Sequence, residues 1–305
     1  MYDILTIMIN TIDRGILFML ASSLISALNG AVAKVLSEDL SAIEIVFFRN
    51  VMGVLIILLT LKHTPAILSG GKLHLLFLRG FFGFSAMILF FYTITVIPLG
   101  VAITLNKTSP FFVSIIAFYT FHESLTKRTI TAILLGFLGV ILIAKPTGIG
   151  IGYEHFLGVL GGFFAAAAYA TIKKIKNIYD TRVIVLSFMG VGTLFPLIFF
   201  IVSPYINSAG SVSFLFEPFL LPASQKTWFL IIFMAVISTL SQWLLTKAYS
   251  NSQASIIGVI SYTNIPFAIG FGWMLGDMFP DFWTFLGISL IILGGIIVSK
   301  RLKIN

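Results

Sequence analysis

Long apolar stretches alternate with short polar or charged connections along almost the whole chain. A transmembrane helix needs about 20 mostly apolar residues to cross the hydrocarbon core of a bilayer. Ten stretches approach this length, so the pattern predicts an all-α membrane protein with ten transmembrane helices. The predicted spans are residues 15–36, 43–62, 73–96, 98–121, 129–145, 155–174, 183–203, 227–248, 254–275 and 282–299. The one long connection, near residues 204–226, contains three prolines and is predicted to lie at the membrane surface.

Composition supports the membrane prediction and excludes several other classes of protein. Hydrophobic residues make up 58% of the 305 residues and charged residues only 10%, whereas an average soluble domain has about 25% charged residues. The chain contains no cysteine. A disulfide scaffold, a thiolate nucleophile and a Cys-ligated zinc site are therefore excluded.

The basic residues predict an orientation, because Lys and Arg accumulate in cytoplasmic loops. With the N-terminus inside, fourteen of the 19 Lys and Arg residues fall on the inner side, among them Arg79, and only Lys145 and Lys226 fall outside. The other three, Lys34, Arg49 and Lys107, lie within or near spans. We expect both termini to be cytoplasmic in the cell (inner) membrane. The net charge of +8 then belongs to loops beside the lipid bilayer and predicts no nucleic-acid partner.

An internal repeat is visible around the fourth and ninth spans. Residues 108–112 (TSPFF) and 263–267 (TNIPF) are each followed by an apolar run and then an acid, Glu123 and Asp277. A short polar stretch and a glycine-punctuated span follow each acid. Five spans per copy is an odd number, so the second copy enters the membrane inverted, an arrangement typical of secondary transporters with a binding site near the midplane. The two predicted repeats are residues 15–148 and 152–301. Chance recurrence in helices of biased composition is the alternative.

Pro110 and Pro266 lie inside the fourth and ninth predicted spans. A proline removes a backbone donor and frees a carbonyl on the preceding turn, and in lipid that carbonyl needs another partner. We therefore expect helix kinks that line the pathway or gate it. A kink that merely improves helix packing is the alternative.

Lys107 lies close to the centre of its span, where a cation costs about 2.5–3.5 kcal/mol on insertion scales. Water, a carboxylate, helix-end carbonyls or an anionic substrate would satisfy it, and we expect it to bind substrate. Arg49 lies in the outer half of the second span and is a second candidate ligand, with a structural anchor as the alternative. Glu44, five residues earlier, is a candidate partner for Arg49 and the acid best placed for proton coupling.

Further polar and aromatic residues at membrane depth are candidates for lining a central cavity, since amides need partners in lipid and rings form the walls of solute pockets. Helix–helix hydrogen bonding or the interfacial aromatic belt is the alternative for each. Tyr262 and Asn264 are favoured because they flank the proline-bearing turn. The candidates are Asn29, Tyr92, Asn106, Tyr169, Gln242, Trp243, Tyr262, Asn264 and Trp273.

Taken in order, these motifs resemble the EamA branch of the drug/metabolite transporter superfamily over residues 15–300. The matching stretches are residues 48–50, 105–112, 122–123, 136–146, 241–249, 262–267, 276–277 and 286–295. The resemblance implies a ten-helix bundle with a central cavity and alternating access, but no particular substrate. Residues 241–249 resemble a subgroup that includes carriers of S-adenosylmethionine, riboflavin and organic anions. The family's usual Gly-Glu at the end of the fourth helix is His122-Glu123 here.

The predicted function is secondary transport of a small polar metabolite: an amino acid, an organic anion or a nucleoside-like compound. No P-loop sequence is present, so the energy would come from a proton gradient, exchange or the solute's own gradient. A membrane-embedded enzyme is the alternative, but His-Glu-x-x-His and clustered aspartates are absent from the sequence, and a channel would need rings of like groups. We expect no enzymatic activity, no metal and no tightly bound organic cofactor. If Lys107 and Arg49 both face the cavity, the substrate carries a carboxylate or phosphate.

Overall fold

The structure is a computed structural model that describes residues 13–66, 70–96, 105–144, 153–205, 215–275 and 281–299. These ranges are built from helices and connecting turns, and no β-strand occurs in them. The helices are α1 (Arg14–Leu36), α2 (Ala42–His63), α3 (Leu73–Val96), α4 (Ser109–Phe121), α5 (Lys127–Ala144), α6 (Tyr153–Ile175), α7 (Thr181–Val202), α8 (Gln225–Asn251), α9 (Ala254–Ile260), α10 (Asn264–Met274) and α11 (Phe282–Ser299). A 3₁₀ turn, Ser261–Thr263, joins α9 to α10.

Seven helical segments of the described ranges are long and apolar enough to cross a membrane. They are Arg14–Leu36, Ala42–His63, Leu73–Phe90, Tyr153–Ile175, Thr181–Tyr205, Gln225–Asn251 and Ala254–Met274. Ser109–Phe121 and Phe282–Ile297 are apolar but shorter. The chain is therefore an all-helical, multi-pass membrane protein. Ten crossings stay a prediction, because the first part of the fourth predicted span, like Lys145 and Asp277, lies outside the described residues.

Several helix ends are explained by their capping residues. Ser41 forms a capping box at the start of α2 with Glu44, which satisfies two backbone donors reciprocally. Asp13 and Asp180 accept backbone N–H groups at the starts of α1 and α7. Side-chain hydrogen bonds from Arg182 also hold the pKa of Asp180 below its usual range.

The helices pack through extended contacts in which α1 lies against α8, α3 against α6, α2 against α7, and α5 against α11. Glycine permits the closest of these approaches. A Cβ atom added at Gly139 of α5 would lie 2.5 Å from the Gly287 carbonyl oxygen, and one added at Gly287 of α11 would lie 2.6 Å from that of Gly139. Large apolar side chains such as Leu59 and Phe229 are exposed, which suits a surface in contact with lipid.

Arg79, which the distribution of basic residues predicts on the inner side of the membrane, is buried between helices. It lies in the second turn of α3, about 9 Å along the axis from Leu73, and only 1% of it is exposed. Neighbouring helices cover the guanidinium group, which contacts the Phe188 ring of α7 and Gln242 of α8.

Candidate functional site

Two helix interruptions carry the candidate site. The first is a turn at Lys107 and Thr108, between the helical residues Leu105–Asn106 and α4, and the second is the 3₁₀ turn between α9 and α10. The two are built alike: the Thr108 hydroxyl donates to the Leu105 carbonyl at 2.6 Å, and the Thr263 hydroxyl donates to the Ile260 carbonyl at 2.7 Å. Such local bonds compete with the regular helical ladder.

Pro110 and Pro266 lie in the first turns of α4 and α10, immediately after these interruptions. A backbone N–H in a first turn has no intrahelical partner, so proline is tolerated there. The helices are therefore interrupted one turn before each proline, and the two prolines begin new helical segments. The sequence interpretation expected a bend at the prolines themselves.

A cavity of about 80 Å³ lies between the two interruptions. It has room for a few water molecules, since one needs about 10–15 Å³ by this measure. Hydroxyl and amide groups dominate its lining, and among the described residues that line it Lys107 is the single charged one. The lining residues are Met19, Ser22, Ser23, Ser26, Asn106, Lys107, Ser109, Tyr169, Leu245, Tyr249, Ser261 and Asn264.

Helices α1 and α6 hold the two interruptions on either side of the cavity. The Asn264 amide at the start of α10 donates to the Ser23 carbonyl of α1 at 3.0 Å. On the other side, α6 approaches the first interruption through Gly162, where an added Cβ would lie 2.3 Å from Thr108 Oγ1. The first helix of each predicted repeat therefore supports the interrupted helix of the other.

The structure brings Asn106, Lys107, Tyr169 and Asn264 of the predicted site residues together at the cavity. Tyr262 instead points away from it and is completely buried. Its ring fills the space above Gly136 of α5, where an added Cβ would lie 2.6 Å from the ring. Within the described part of the chain its hydroxyl group makes no hydrogen bond.

Arg49 and Glu44 are both outside the cavity lining and do not pair with each other in the described structure. Arg49 contacts the Met87 sulfur at 3.4 Å and the Phe188 ring at 5.9 Å. The Glu44 carboxylate accepts from the Ser41 backbone and hydroxyl groups and, through its other oxygen, from the Leu220 N–H at 2.7 Å. Glu44 thus fastens the segment after α7 to the start of α2.

Gln242 and Trp243 lie on α8 and are not part of the cavity lining. Gln242 Oε1 is 3.5 Å from Arg79 Nη2. The ring centroids of Trp243 and Phe18 are 6.4 Å apart. The Lys247 Nζ atom lies 5.6 Å from the centroid of the Trp243 ring.

Three more predicted residues are located outside the cavity lining. Tyr92 is buried with its ring 6.4 Å from that of Tyr153. Asn29 has a buried side-chain oxygen without a hydrogen-bond partner in the described structure. Trp273 is exposed near the end of α10.

Sequence reasoning missed the serine face of α1 that lines the cavity. Ser22, Ser23 and Ser26 lie on one side of the helix, and the Ser22 hydroxyl also donates to the Ser241 carbonyl of α8 at 2.8 Å. Their spacing of three and four residues was the available signal. Serine is common in transmembrane helices, however, so the pattern alone does not separate a cavity from helix packing.

Glu123 was predicted only as an acid at a helix end, and the structure gives it a central structural role. Its carboxylate forms an ion pair with Lys173 of α6. It also accepts the Ala254 N–H at 3.1 Å, the Ser255 N–H at 3.3 Å and the Ser255 hydroxyl at 3.0 Å. Glu123 therefore ties the end of α4 to the end of α6 and the start of α9.

No group of three or more His, Cys, Asp or Glu side chains among the described residues is arranged to hold a metal ion. The arrangement of the cavity suits binding of a polar solute, since its lining combines one cation with hydroxyl and amide groups. The lining residues come from helices of both predicted repeats.

The chain is similar to known transporters and to a solved structure. The chain is 30% identical to a pseudopaline exporter from Pseudomonas aeruginosa, covering 97% of this chain and 99% of the exporter. It is 24% identical to a riboflavin transporter from Vibrio cholerae, covering 67% of this chain and 63% of that protein. A crystal structure of another protein superposes with a TM-score of 0.76 at 14% identity, covering 95% of this chain and 99% of that one, which shows a shared fold.

The sequence model of the EamA-like transporter family matches the chain twice, at residues 13–145 and 152–300. These relatives are named as transporters rather than as enzymes. The chain belongs to the EamA-like transporter family.

Proposed function

We propose that the protein is a secondary transporter for a small polar metabolite with a carboxylate or phosphate group, moved across the cytoplasmic membrane by alternating access. The observation that carries the proposal is the location of Lys107 in the cavity between the two helix interruptions. Among the described lining residues there is no carboxylate to neutralise it. An anionic solute would supply the missing charge and repay the cost of a cation at this depth.

Alternating access is supported by the size of the cavity and by the reciprocal packing of the helices. A volume of about 80 Å³ is far too small for a metabolite, so the surrounding helices must separate to admit one. The most extensive contacts between the predicted repeats have counterparts: α3–α6 corresponds to α1–α8, α4–α6 to α10–α1, and α3–α7 to α8–α2.

The α2–α7 contact has the same reciprocity at residue level. Asn50 of α2 contacts the site of Gly192 on α7, and Met189 of α7 contacts the site of Gly53 on α2. Residues related by a twofold axis meet in this way. Together with the double family match, the reciprocity supports two inverted five-helix repeats, residues 15–148 and 152–301, which rock about a site at their interface.

The relatives' names support transport and leave the solute open, since one is a pseudopaline exporter and another a riboflavin transporter. We infer that specificity depends on side chains such as Lys107 rather than on the shared fold. Energy would come from a proton gradient or from exchange. Coupling through Glu44 would require its carboxylate to release the Leu220 N–H. We further propose that both termini face the cytoplasm, as the distribution of basic residues supports.

The test is counterflow by purified protein in proteoliposomes, with radiolabelled amino acids, di- and tricarboxylates, riboflavin and S-adenosylmethionine, with and without a proton gradient. We expect a saturable, trans-stimulated signal for an anionic solute. Replacement of Lys107 by Met should reduce that signal at least about tenfold, since one lost charge-assisted hydrogen bond is worth about 1.5–3 kcal/mol. Lys107→Arg should retain part of it.

Lys62→Met is the matched control, because Lys62 is exposed near the end of α2, and it should transport normally. Folding of each variant is checked by its elution profile and thermal melting in detergent. Undiminished transport of an anionic solute by folded Lys107→Met protein would contradict the proposed substrate class.

A further inference from the structure

Arg79 is a buried cation without a matching anion. It is 1% exposed, and none of the carboxylates in the described ranges forms an ion pair with it. Its Nε–H makes no hydrogen bond within those ranges. A buried guanidinium group normally pairs with a carboxylate or phosphate, because its fork of donors fits such a group.

Three contacts surround the guanidinium group of Arg79, and none of them is an anion. The Phe188 ring of α7 lies 4.8 Å from its central carbon. Gln242 Oε1 of α8 is 3.5 Å from Nη2. Gly83 of α3 provides the necessary space, since a Cβ there would lie 2.5 Å from Nη1. These contacts orient the cation but leave its charge uncompensated.

A stacked pair of tyrosines lies at the cavity, on the helices that pack beside Arg79 and its partner Gln242. The rings of Tyr169 of α6 and Tyr249 of α8 are 4.7 Å apart and nearly parallel, with an angle of 15°. Both rings line the Lys107 cavity, and Gln242, which contacts Arg79, lies on α8 one turn before Leu245 of the same lining. The aromatic pair therefore borders the cavity, and Tyr249 lies two turns along α8 from Gln242, on the same face of the helix.

The position along the helices places Arg79 nearer one end of the bundle. It follows the start of α3 by two turns, whereas Tyr169 and Tyr249 are close to the ends of α6 and α8. By the predicted orientation this end is cytoplasmic.

We propose that Arg79, with Gln242, is a second binding site for the anionic group of the transported solute, reached from the Lys107 cavity when the Tyr169–Tyr249 pair separates. The inference rests on the proposed transport function and adds a second station to it. The anionic group of the solute would pass from Lys107 to Arg79. It would therefore be close to a positive charge throughout its passage across the inner half of the bundle. The bound group is a carboxylate or a phosphate.

The experiment uses the absence of cysteine from the natural chain. The variant Gln242→Cys introduces one thiol beside Arg79. In proteoliposomes with reagent on both faces, we would measure the rates of modification by a sulfonate-bearing and a quaternary-ammonium-bearing methanethiosulfonate. Their ratio, normalised to that of 2-mercaptoethanol in solution, reports the charge that a solute meets at this position.

We expect the normalised ratio to favour the anionic reagent about tenfold, because one unit charge a few ångströms away changes the local potential by that much. Adding Arg79→Gln should abolish the preference, and Arg79→Lys should retain it. If Arg79→Gln protein does not fold, the normalised ratio of Gln242→Cys alone still decides the matter. Phe84→Cys is the control for burial alone. Phe84 lies on α3 with Arg79, is 4% exposed and packs against Val46 and Val191, so its thiol should remain unreactive.

A normalised ratio near one, or a Gln242→Cys thiol that reacts with neither reagent, would overturn the inference. Thiol modification needs no transport, so this result is independent of the Lys107→Met counterflow experiment. If the Gln242→Cys thiol showed no charge preference but transport still depended on Lys107, the second site would be refuted and the proposed function would stand. An anion-selective thiol with no saturable transport of any anion would refute the proposed function instead.

Discussion

At the end of α4, His122 has a backbone φ of 52°, in the left-handed region. This backbone conformation is less stable by about 1–2 kcal/mol for residues with a Cβ atom. Glycine is therefore the usual residue at a helix C-terminus of this kind. The conformation lets the backbone turn so that the following Glu123 reaches Lys173 and the start of α9. The departure from the family's usual Gly-Glu therefore keeps the geometry and adds local strain.

Replacing His122 by Gly should stabilise the protein, by about 1 kcal/mol at most because glycine also loses more entropy on folding. The apparent melting temperature in detergent should rise by a few degrees. His122→Ala retains the Cβ atom and should give no gain. Equal effects of the two substitutions would show that the exposed imidazole, and not the backbone, determines the outcome.

At the same scale, the sequence identified the cavity residues that lie beside prolines. Lys107 was predicted as a cation near the bilayer centre, Asn106 as an amide at membrane depth, and Asn264 as a residue that flanks the proline-bearing turn. Tyr262 was predicted by the same reasoning, but its direction depends on the space left by Gly136 on another helix. Arg79 was missed because its burial results from packing by α7 and α8, which no local pattern encodes.

At the scale of helices, the prediction from hydrophobic runs was accurate because the bilayer sets the length of each span. Residues 43–62 were predicted where α2 spans Ala42–His63, and 183–203 where α7 spans Thr181–Val202. The interruption between α9 and α10 was not predicted, since residues 254–275 form one continuous apolar run. Its cause lies in side-chain hydroxyls that bond to nearby carbonyls, such as Ser261 to Gly258.

The α5–α11 contact depends on Gly139 and Gly287, so Gly139→Ala should be destabilising. The added methyl group would meet a backbone carbonyl at 2.5 Å, and neither helix can yield without losing its other contacts. We expect a loss of about 1–3 kcal/mol, seen as a lower apparent melting temperature. Gly190→Ala of α7, where an added Cβ has no neighbour within 4 Å, should be neutral or slightly stabilising. Similar losses in both variants would indicate a general cost of the methyl group rather than this contact.

At the scale of the whole molecule, Glu123 links helices of both predicted repeats at one end of the bundle. Under alternating access these bonds hold only while that end is closed. Glu123→Gln should therefore increase the open population about tenfold, the expected effect of losing a charge-assisted hydrogen bond.

The measurement is the rate at which a water-soluble maleimide modifies Ser23→Cys in the cavity lining, because Ser23 is 3% exposed in this structure. Glu38→Gln, an exposed acid between α1 and α2, is the matched control and should leave the rate unchanged. An equal rate in the Glu123→Gln and control variants would contradict a closing role for Glu123.

The first helix of each predicted repeat packs on the interrupted helix of the other repeat, α1 on α10 and α6 on α4, and this packing has a consequence for biosynthesis. The carbonyls and amides at the first interruption are covered by α6, which the ribosome makes later than α4. A nascent chain that ends before Tyr153 would thus uncover the Thr108 hydroxyl and the Leu105 and Asn106 carbonyls, and polar groups are unfavourable in contact with lipid. We therefore expect stable packing of the first half only after α6 has been translated.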